Sequence, residues 1–372
     1  MNRAEIDQYR PVALENTAVT YVDGKRIVTC FCGERVTHSL VPHLRKYHHS
    51  EWQAWKGAFV KLSSLGCSLK QIMRLFSASD GTLLFSWTVV ERAIKEEVES
   101  GKLTYLPSPI KKVKHWKPTD FVLQKTTVWD FPSRGNWAVH SSQYRGNWPP
   151  QIPRNLIERY TNEGELVVDA FAGGGTTLIE AWLLGRPSIG LDISKLALQM
   201  ARAKLKEMEE LSKKGDGIEL DSRCRPLIIE GNALELSTVL VQHGIEKNTV
   251  KLLCAHPPYL DSIKYTINNE KDLALVHNPD TFYSRIRDFS REVKGILADD
   301  GVCAILIGDI RKSGEIVPLG LNVLNIFVAE GFKLDNIVIK TQNRDSSSEF
   351  WVGHKSNILL MAHEYLFILR KA

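Results

Sequence analysis

The sequence predicts an α/β fold: a mostly parallel sheet of seven strands, the last running antiparallel, preceded by a small N-terminal domain. Three observations carry this. From about Val128, short β-branched runs alternate with helical segments, the pattern of a parallel sheet with helices on both faces. The last two runs, FKLDNIVIK and EYLFILR, have no helical segment between them, so they are expected to pair antiparallel. The charge is also divided. Residues 1–125 hold 19 Lys+Arg and 12 Asp+Glu, a balance of +7, whereas the remainder holds 29 and 31, a balance of −2.

Composition narrows the classes. The 372 residues are 43% hydrophobic and 24% charged, which excludes a mainly disordered chain, a collagen-like fibre and a disulfide-dense miniprotein. No apolar run approaches the ~18 residues of a membrane span, and Met1–Arg10 has no apolar core of a secretory leader. Six cysteines without a disulfide-framework spacing suit a reducing compartment. The expectation is a soluble cytoplasmic protein with no membrane partner. The basic excess of the N-terminal third attracts polyanions, nucleic acid first among them.

Taken in order, residues 1–50 read as a compact unit, with a strand-like TYVDGKRIVTCFCG followed by the helically spaced SLVPHLRKYHH. Cys30, Cys32, His43 and His48 form C-x-C-x10-H-x4-H. Two thiolates on a turn and two imidazoles on the next helix suit a tetrahedral Zn²⁺. The first pair is one residue shorter than the usual C-x2-C of a zinc finger, and His38 and His49 are rival ligands. Residues 51–125 are helical and then basic. The pair of helices in 68–100 fits either a helix-turn-helix or a plain hairpin. Residues 101–125, with three prolines and six lysines, read as a linker whose Lys111, Lys112, Lys114 and Lys117 suit phosphate contacts. The third domain is 126–372.

There the first main strand runs into DAFAGGGTTLIEA, residues 169–181. Gly173, Gly174 and Gly175 lie between strand and helix, where missing Cβ atoms and free N–H groups admit a ligand to the backbone. No lysine follows, so this is not a phosphate-binding P-loop. Leu178 stands where a dinucleotide fingerprint wants glycine. Asp192 closes the second strand 19 residues after Gly173, placed to accept hydrogen bonds from both hydroxyls of a ribose. A nucleoside without a pyrophosphate fits best. The fourth strand ends in His256-Pro257-Pro258-Tyr259. Successive prolines cannot donate to a ladder and leave their carbonyls facing the crevice, with an aromatic beside them for a flat substrate.

DAFAGGGTT, GLDIS, EGNALE and HPPY, in that order, resemble the motifs of S-adenosylmethionine-dependent DNA amino-methyltransferases, the N4-cytosine and N6-adenine enzymes. GNWPPQIPRNLIERY resembles the segment that completes the methionine side of the pocket, and HEYLFILRK the closing strand. The resemblance covers roughly Thr126 to the C-terminus and implies a Rossmann-like methyltransferase fold. It implies that His256 and the Pro257 carbonyl hold a base amine and that Tyr259, after Pro258, stacks on a flipped base. For S-adenosylmethionine it implies Asp169, Phe171, Gly173, Gly174, Gly175, Thr176 and Thr177 at the amino-acid end. Asn147 and Pro150 would close that side, with Asp192 at the ribose and Asn232 near the adenine.

The chain departs from the family at His256, where Asp, Asn or Ser is usual; a protonated imidazole would lose the acceptor role. That leaves an active variant, a changed substrate or an inactive site. PPYLDSIKY is closer to the N4-cytosine type, and Lys264 and Tyr265 either line the pocket or pack. Only 24 residues separate Asn232 from His256, too few for a large target-recognition insert. DNA reading is therefore expected from the N-terminal third or from the loop Thr341–Lys355. The implied partner is double-stranded DNA, with a restriction endonuclease as a further one. RNA amines, or DNA binding without transfer, are the rival readings.

Overall fold

The computed structural model describes residues 8–371 except 38, 66, 68, 79, 103–112, 215–216, 264, 268, 313 and 343–358. It divides into two compact units, Met1–Pro109 and Ile110–Ala372. The rival ligand His38, Lys111, Lys112, Lys264 and most of the loop Thr341–Lys355 lie outside the described residues.

The first unit opens with an antiparallel meander of β1 (Ala18–Val22), β2 (Lys25–Thr29) and β3 (Arg35–Thr37). Asp23 and Gly24 both take positive φ, as the tight hairpin turn between β1 and β2 requires. Four helices follow: α1 (Leu40–Tyr47), α2 (His49–Ser64), α3 (Leu69–Leu75) and α4 (Trp87–Glu99). The Ser39 hydroxyl caps α1 by accepting from the Val41 N–H. Trp52, Trp55, Phe59, Phe76 and Phe85 are all buried and meet mostly edge to face, the arrangement favoured by ring quadrupoles. Residues 76–86, folded by a bridge between Ser77 and Leu83, join α3 to α4. That is longer than the ~3–4 residues of a helix-turn-helix turn.

The second unit is the expected α/β sheet. Its strands are β4 (Val128–Trp129), β5 (Val167–Asp169), β6 (Ser188–Asp192), β7 (Leu227–Glu230), β8 (Val250–Ala255), β9 (Leu297–Ile307), β12 (Phe332–Thr341) and β13 (His363–Lys371). They lie in the order β4-β12-β13-β9-β8-β5-β6-β7. The last strand, β13, is antiparallel to both neighbours, and the other pairings are parallel. Two additions were not legible: the two-residue β4 makes an eighth strand at the β12 edge, and β10 (Ile310–Lys312) pairs with β11 (Glu315–Val317) as a separate hairpin.

The helices are α5 (Gln151–Tyr160), α6 (Thr176–Leu183), α7 (Lys195–Lys213), α8 (Leu236–Gln242), α9 (Pro279–Ile296) and α10 (Leu319–Ala329). Val168, Leu253, Ile305 and Phe367 bury one sheet face against Phe289 and Phe327 of α9 and α10, while Leu252, Ala304 and Leu366 face Ile152 and Leu156 of α5. Alternation of adjacent strand residues between these two cores is the period-2 pattern of a sheet covered on both sides. Trp116 belongs to this unit's packing, beside Trp137, Leu178 and Trp182. Because β5 leads to β6 on one side and neighbours β8 on the other, the chain order reverses there. The crevice at the carboxyl ends of β5 and β8 is the place such sheets bind ligands.

Candidate active site

The glycine loop leaves β5 at Asp169 and enters α6 through Gly175, the left-handed residue before the first turn (φ +81°). The segment 144–147 lies against it. A Cβ on Gly174 would stand 2.6 Å from Asn147 Nδ2 and 3.0 Å from Tyr144 Cβ, so only glycine lets the two approach. Asn147 Oδ1 accepts from the Gly174 N–H at 3.0 Å, while its Nδ2 is buried without a partner. Arg134 donates through Nη1 to the Asn147 carbonyl at 2.9 Å, and its Nε and Nη2 are likewise buried without partners. Burial lowers Arg134 to about 10, so it stays charged at neutral pH. Lys204 Nζ, reaching the Gly174 carbonyl, is lowered to about 7 by burial and then by Arg134. Buried donors that lack acceptors are costly, and here they surround the loop where a negatively charged ligand end would satisfy them.

The two aspartates are held by the loop itself. Asp169 accepts from the Thr177 hydroxyl and from the Phe171 N–H. Asp192 accepts from the Gly173 and Ser194 N–H groups, each at 2.8 Å. Burial raises Asp169 to about 6 and Asp192 to about 7. Asn232 caps the short turn after β7 by accepting from the Leu234 N–H.

Asp169, Phe171, Gly173, Asp192, Asn232 and Asn147 line one cavity. Gly174, Gly175, Thr176 and Thr177 shape it from behind without lining it, and Pro150 does not reach it; it precedes the first residue of α5. A second cavity adjoins, lined by Phe131, Pro257, Tyr259, Lys340 and Glu364. His256, Pro258, Trp148, Asn147 and Tyr265 line both. His256 thus sits at the junction.

Its surroundings were not visible in the sequence. Trp148 stacks on the imidazole, centroids 5.8 Å apart and planes 19° apart. His256 Nε2 lies 3.0 Å from the Tyr259 hydroxyl, which donates to Glu364 Oε1 at 2.7 Å. Lys340 Nζ lies 2.8 Å from Glu364 Oε2. Burial lowers His256 to about 4, so the imidazole is neutral at physiological pH. Burial, and then Glu364, push the Tyr259 phenol well up. Tyr265, which either lined the pocket or packed, does both: it stacks on Tyr144 at 6.0 Å and faces both cavities. Buried Asp272, also missed, accepts from Thr266 and from the Ala274 N–H behind the first cavity. The one available signal was Glu364, a carboxylate directly before the apolar run YLFIL of the closing strand.

In the first unit, Cys30, Cys32, His43 and His48 bring one ligand atom each to within 4.8 Å of one another. Cys32 Sγ is 3.4 Å from His43 Nε2, and His48 Nε2 is buried without a partner. His49 instead lies against Gln53 Nε2 at 3.4 Å. Burial raises Cys30 to about 11.

The fold and the site together define a cavity beside the glycine loop that opens onto a second cavity across a neutral histidine. Comparison with known proteins then specifies the kind. A family described as DNA methylase matches residues 70–203, which include the glycine loop and Asp192 and stop short of His256. The type II methyltransferase M.MjaII of Methanocaldococcus jannaschii is 36% identical over 66 residues, 18% of this chain and 12% of the relative. The type II methyltransferase M1.MboII of Moraxella bovis is 34% identical over 164 residues, 42% of this chain and 63% of the relative. The chain therefore spans less than two thirds of the length of these relatives. Among solved structures, a TehB-like SAM-dependent methyltransferase from Corynebacterium glutamicum is 12% identical with a TM-score of 0.35, covering 59% of this chain and 87% of that one; so slight a likeness adds nothing to the sheet order above. The resemblance read from the motifs is supported: part of this chain is similar to DNA methylases and to type II methyltransferases.

Proposed function

We propose that the protein transfers a methyl group from S-adenosylmethionine to the exocyclic amine of a DNA base, with N4 of cytosine tested before N6 of adenine. The observation that carries this is His256, neutral and followed by two prolines, at the junction of the two cavities. S-adenosylmethionine supplies an electrophilic methyl group on a sulfonium when bound. The residues fit it. Asp192 would accept from the ribose hydroxyls, and the unpartnered Nδ2 of Asn147, which lines the same cavity, suits its carboxylate. Asn232 and the tyrosine stack of Tyr144 and Tyr265 flank the remaining wall.

An exocyclic amine is a poor nucleophile because its lone pair is delocalised into the ring. Accepting its hydrogens on His256 and on the Pro257 carbonyl localises that lone pair. One amine hydrogen must leave, and a neutral imidazole can take it. A duplex base reaches this depth only when flipped from the stack, and the second cavity, walled by Phe131, Trp148 and Tyr259, receives it.

We also infer a structural Zn²⁺ held by Cys30, Cys32, His43 and His48, with His48 rather than His49 as the fourth ligand. Two sulfurs and two nitrogens are the donor set zinc takes, and His48 Nε2 otherwise has no partner. The basic N-terminal region would read double-stranded DNA, and the type II names of the relatives make a restriction endonuclease a candidate partner. Among the described residues no helix is long and apolar enough to cross a membrane.

The test is transfer of tritium from labelled S-adenosylmethionine to mixed-sequence duplex DNA, with nucleoside mass analysis of the product. A methylated cytosine or adenine supports the proposal. Label in structured RNA alone moves the substrate to RNA, and no label with demonstrated cofactor binding leaves an inactive DNA-binding protein.

A further inference from the structure

We propose that Glu364, acting through Tyr259, decides which nitrogen of His256 carries the proton, so that Nδ1 is presented bare to the substrate amine; this rests on the function proposed above. The order of donors leaves one arrangement. Lys340 and Glu364 are direct partners in the β12–β13 register, and the ammonium lies 2.8 Å from Oε2. Burial alone would raise the Glu364 carboxyl, but Lys340 and the site's hydrogen bonds outweigh it and hold the group below its usual range. Glu364 is therefore ionised and can only accept.

The single phenol hydrogen of Tyr259 consequently points at Oε1, 2.7 Å away. The phenol oxygen then has only lone pairs to offer His256, and Nε2 at 3.0 Å must donate to it. A neutral imidazole has one N–H, so Nδ1 is the acceptor. The reverse assignment, with Tyr259 donating to Nε2, would set the phenol oxygen's lone pairs against a carboxylate oxygen in a buried site. Among the described residues, none bonds Nδ1, and His256 faces both cavities. Two features hold the relay in place. Trp148 fixes the plane of the imidazole. Gly308 leaves room on the other side, where a Cβ would come within 3.1 Å of the Tyr259 ring and 3.4 Å of Glu364 Cγ.

The usual Asp, Asn or Ser at the first position of the motif has an acceptor oxygen of its own. Histidine has an acceptor only in the correct tautomer, and Glu364 and Tyr259 supply that condition as positioning residues. A wrong tautomer is costly in catalysis because the donor and acceptor ends of the ring exchange.

The relay is tested on the full chain without cofactor or DNA, by ¹⁵N–¹H correlation spectra that distinguish the two neutral tautomers. His256→Gln assigns the His256 signals. The wild type is expected to show Nε2–H with Nδ1 unprotonated at pH 7. In Glu364→Gln the amide can donate to the phenol oxygen and release the phenol hydrogen to Nε2, so His256 moves toward Nδ1–H. Tyr259→Phe, a near-isosteric change that keeps the ring, breaks the relay and gives mixed tautomers. Both variants should lose about 10²-fold in kcat with cofactor affinity unchanged. A wild-type spectrum showing Nδ1–H or an imidazolium overturns the proposal, as do two variants that keep the wild-type tautomer. Because the spectrum needs no turnover, a wild type that methylates no DNA would sink the proposed function while the relay is still decided by the tautomer.

Discussion

Trp148 and His256 stack with near-parallel rings, centroids 5.8 Å apart, where the two cavities meet. They come from distant parts of the chain, Trp148 from the segment before α5 and His256 from the end of β8. The stack limits the imidazole to one plane, and the hydrogen bond to Tyr259 limits it to one rotation within that plane. Trp148→Ala should therefore lower kcat by about tenfold through lost orientation, while Trp148→Phe retains most turnover. Steady-state rates of the two variants at saturating cofactor decide it; equal losses would remove the stack from the account.

The neutral state of His256 sets a pH signature. Its pKa falls from the ordinary 6.5 to about 4 through burial. Its acceptor role is then retained down to about pH 4, and the acid limb of kcat belonging to His256 lies there rather than near 6.5. Stability follows the same sign. The unfolded state takes up a proton below pH 6.5 and the folded state does not, so the stabilisation is complete above 6.5 and is lost as pH falls toward 4. Comparing acid unfolding of the wild type and His256→Gln reads this directly, the variant losing that part of the slope.

Asp192, whose pKa is shifted the opposite way, also favours higher pH, but through binding and near neutrality. Burial raises its carboxyl from 3.8 to about 7, so at pH 6 it is mostly protonated and at pH 8 mostly ionised. The ionised form is the better acceptor for ribose hydroxyls. Affinity for S-adenosylmethionine should rise between pH 6 and 8, and Asp192→Asn should flatten the profile as well as weaken binding. Calorimetric titration at the two pH values is the measurement, and a flat wild-type profile would count against Asp192 at the ribose.

Gly174 tests the closeness of the two segments. A Cβ there would lie 2.6 Å from Asn147 Nδ2, so Gly174→Ala must displace the amide that the cofactor's carboxylate would meet. Cofactor affinity should fall by about tenfold, the scale of one hydrogen bond to a charged group. Gly57, whose Cβ would meet nothing within 4 Å, serves as the control, and Gly57→Ala should bind normally.

The zinc inference predicts a difference between adjacent histidines. Cys30→Ser or His48→Ala should release metal and weaken DNA binding, whereas His49→Ala should do neither. Metal content by mass spectrometry, together with DNA binding at fixed salt, checks both parts. Full metal retention in His48→Ala would assign the fourth position elsewhere.

What could be read from the sequence alone was local. The alternation of strands and helices, the glycine loop, the acidic residue closing β6 and the prolines after β8 all follow from backbone preferences of adjacent residues, and each is found at the expected place. The four metal-ligand candidates were legible for the same reason, a turn and one helix. Tertiary structure decided what depends on register between remote segments. Tyr259 and Glu364 are 105 residues apart, and they meet because β13 inserts antiparallel between β9 and β12 and sets Glu364 opposite Lys340. Likewise the folding of 134–148 over the glycines brings Arg134, Asn147 and Trp148 to the two cavities. A side chain's period in a strand fixes its face, but only pairing determines its neighbour. The sequence therefore singles out His256 as a candidate, and the fold supplies the neighbours, Trp148, Tyr259 and Glu364, that surround it.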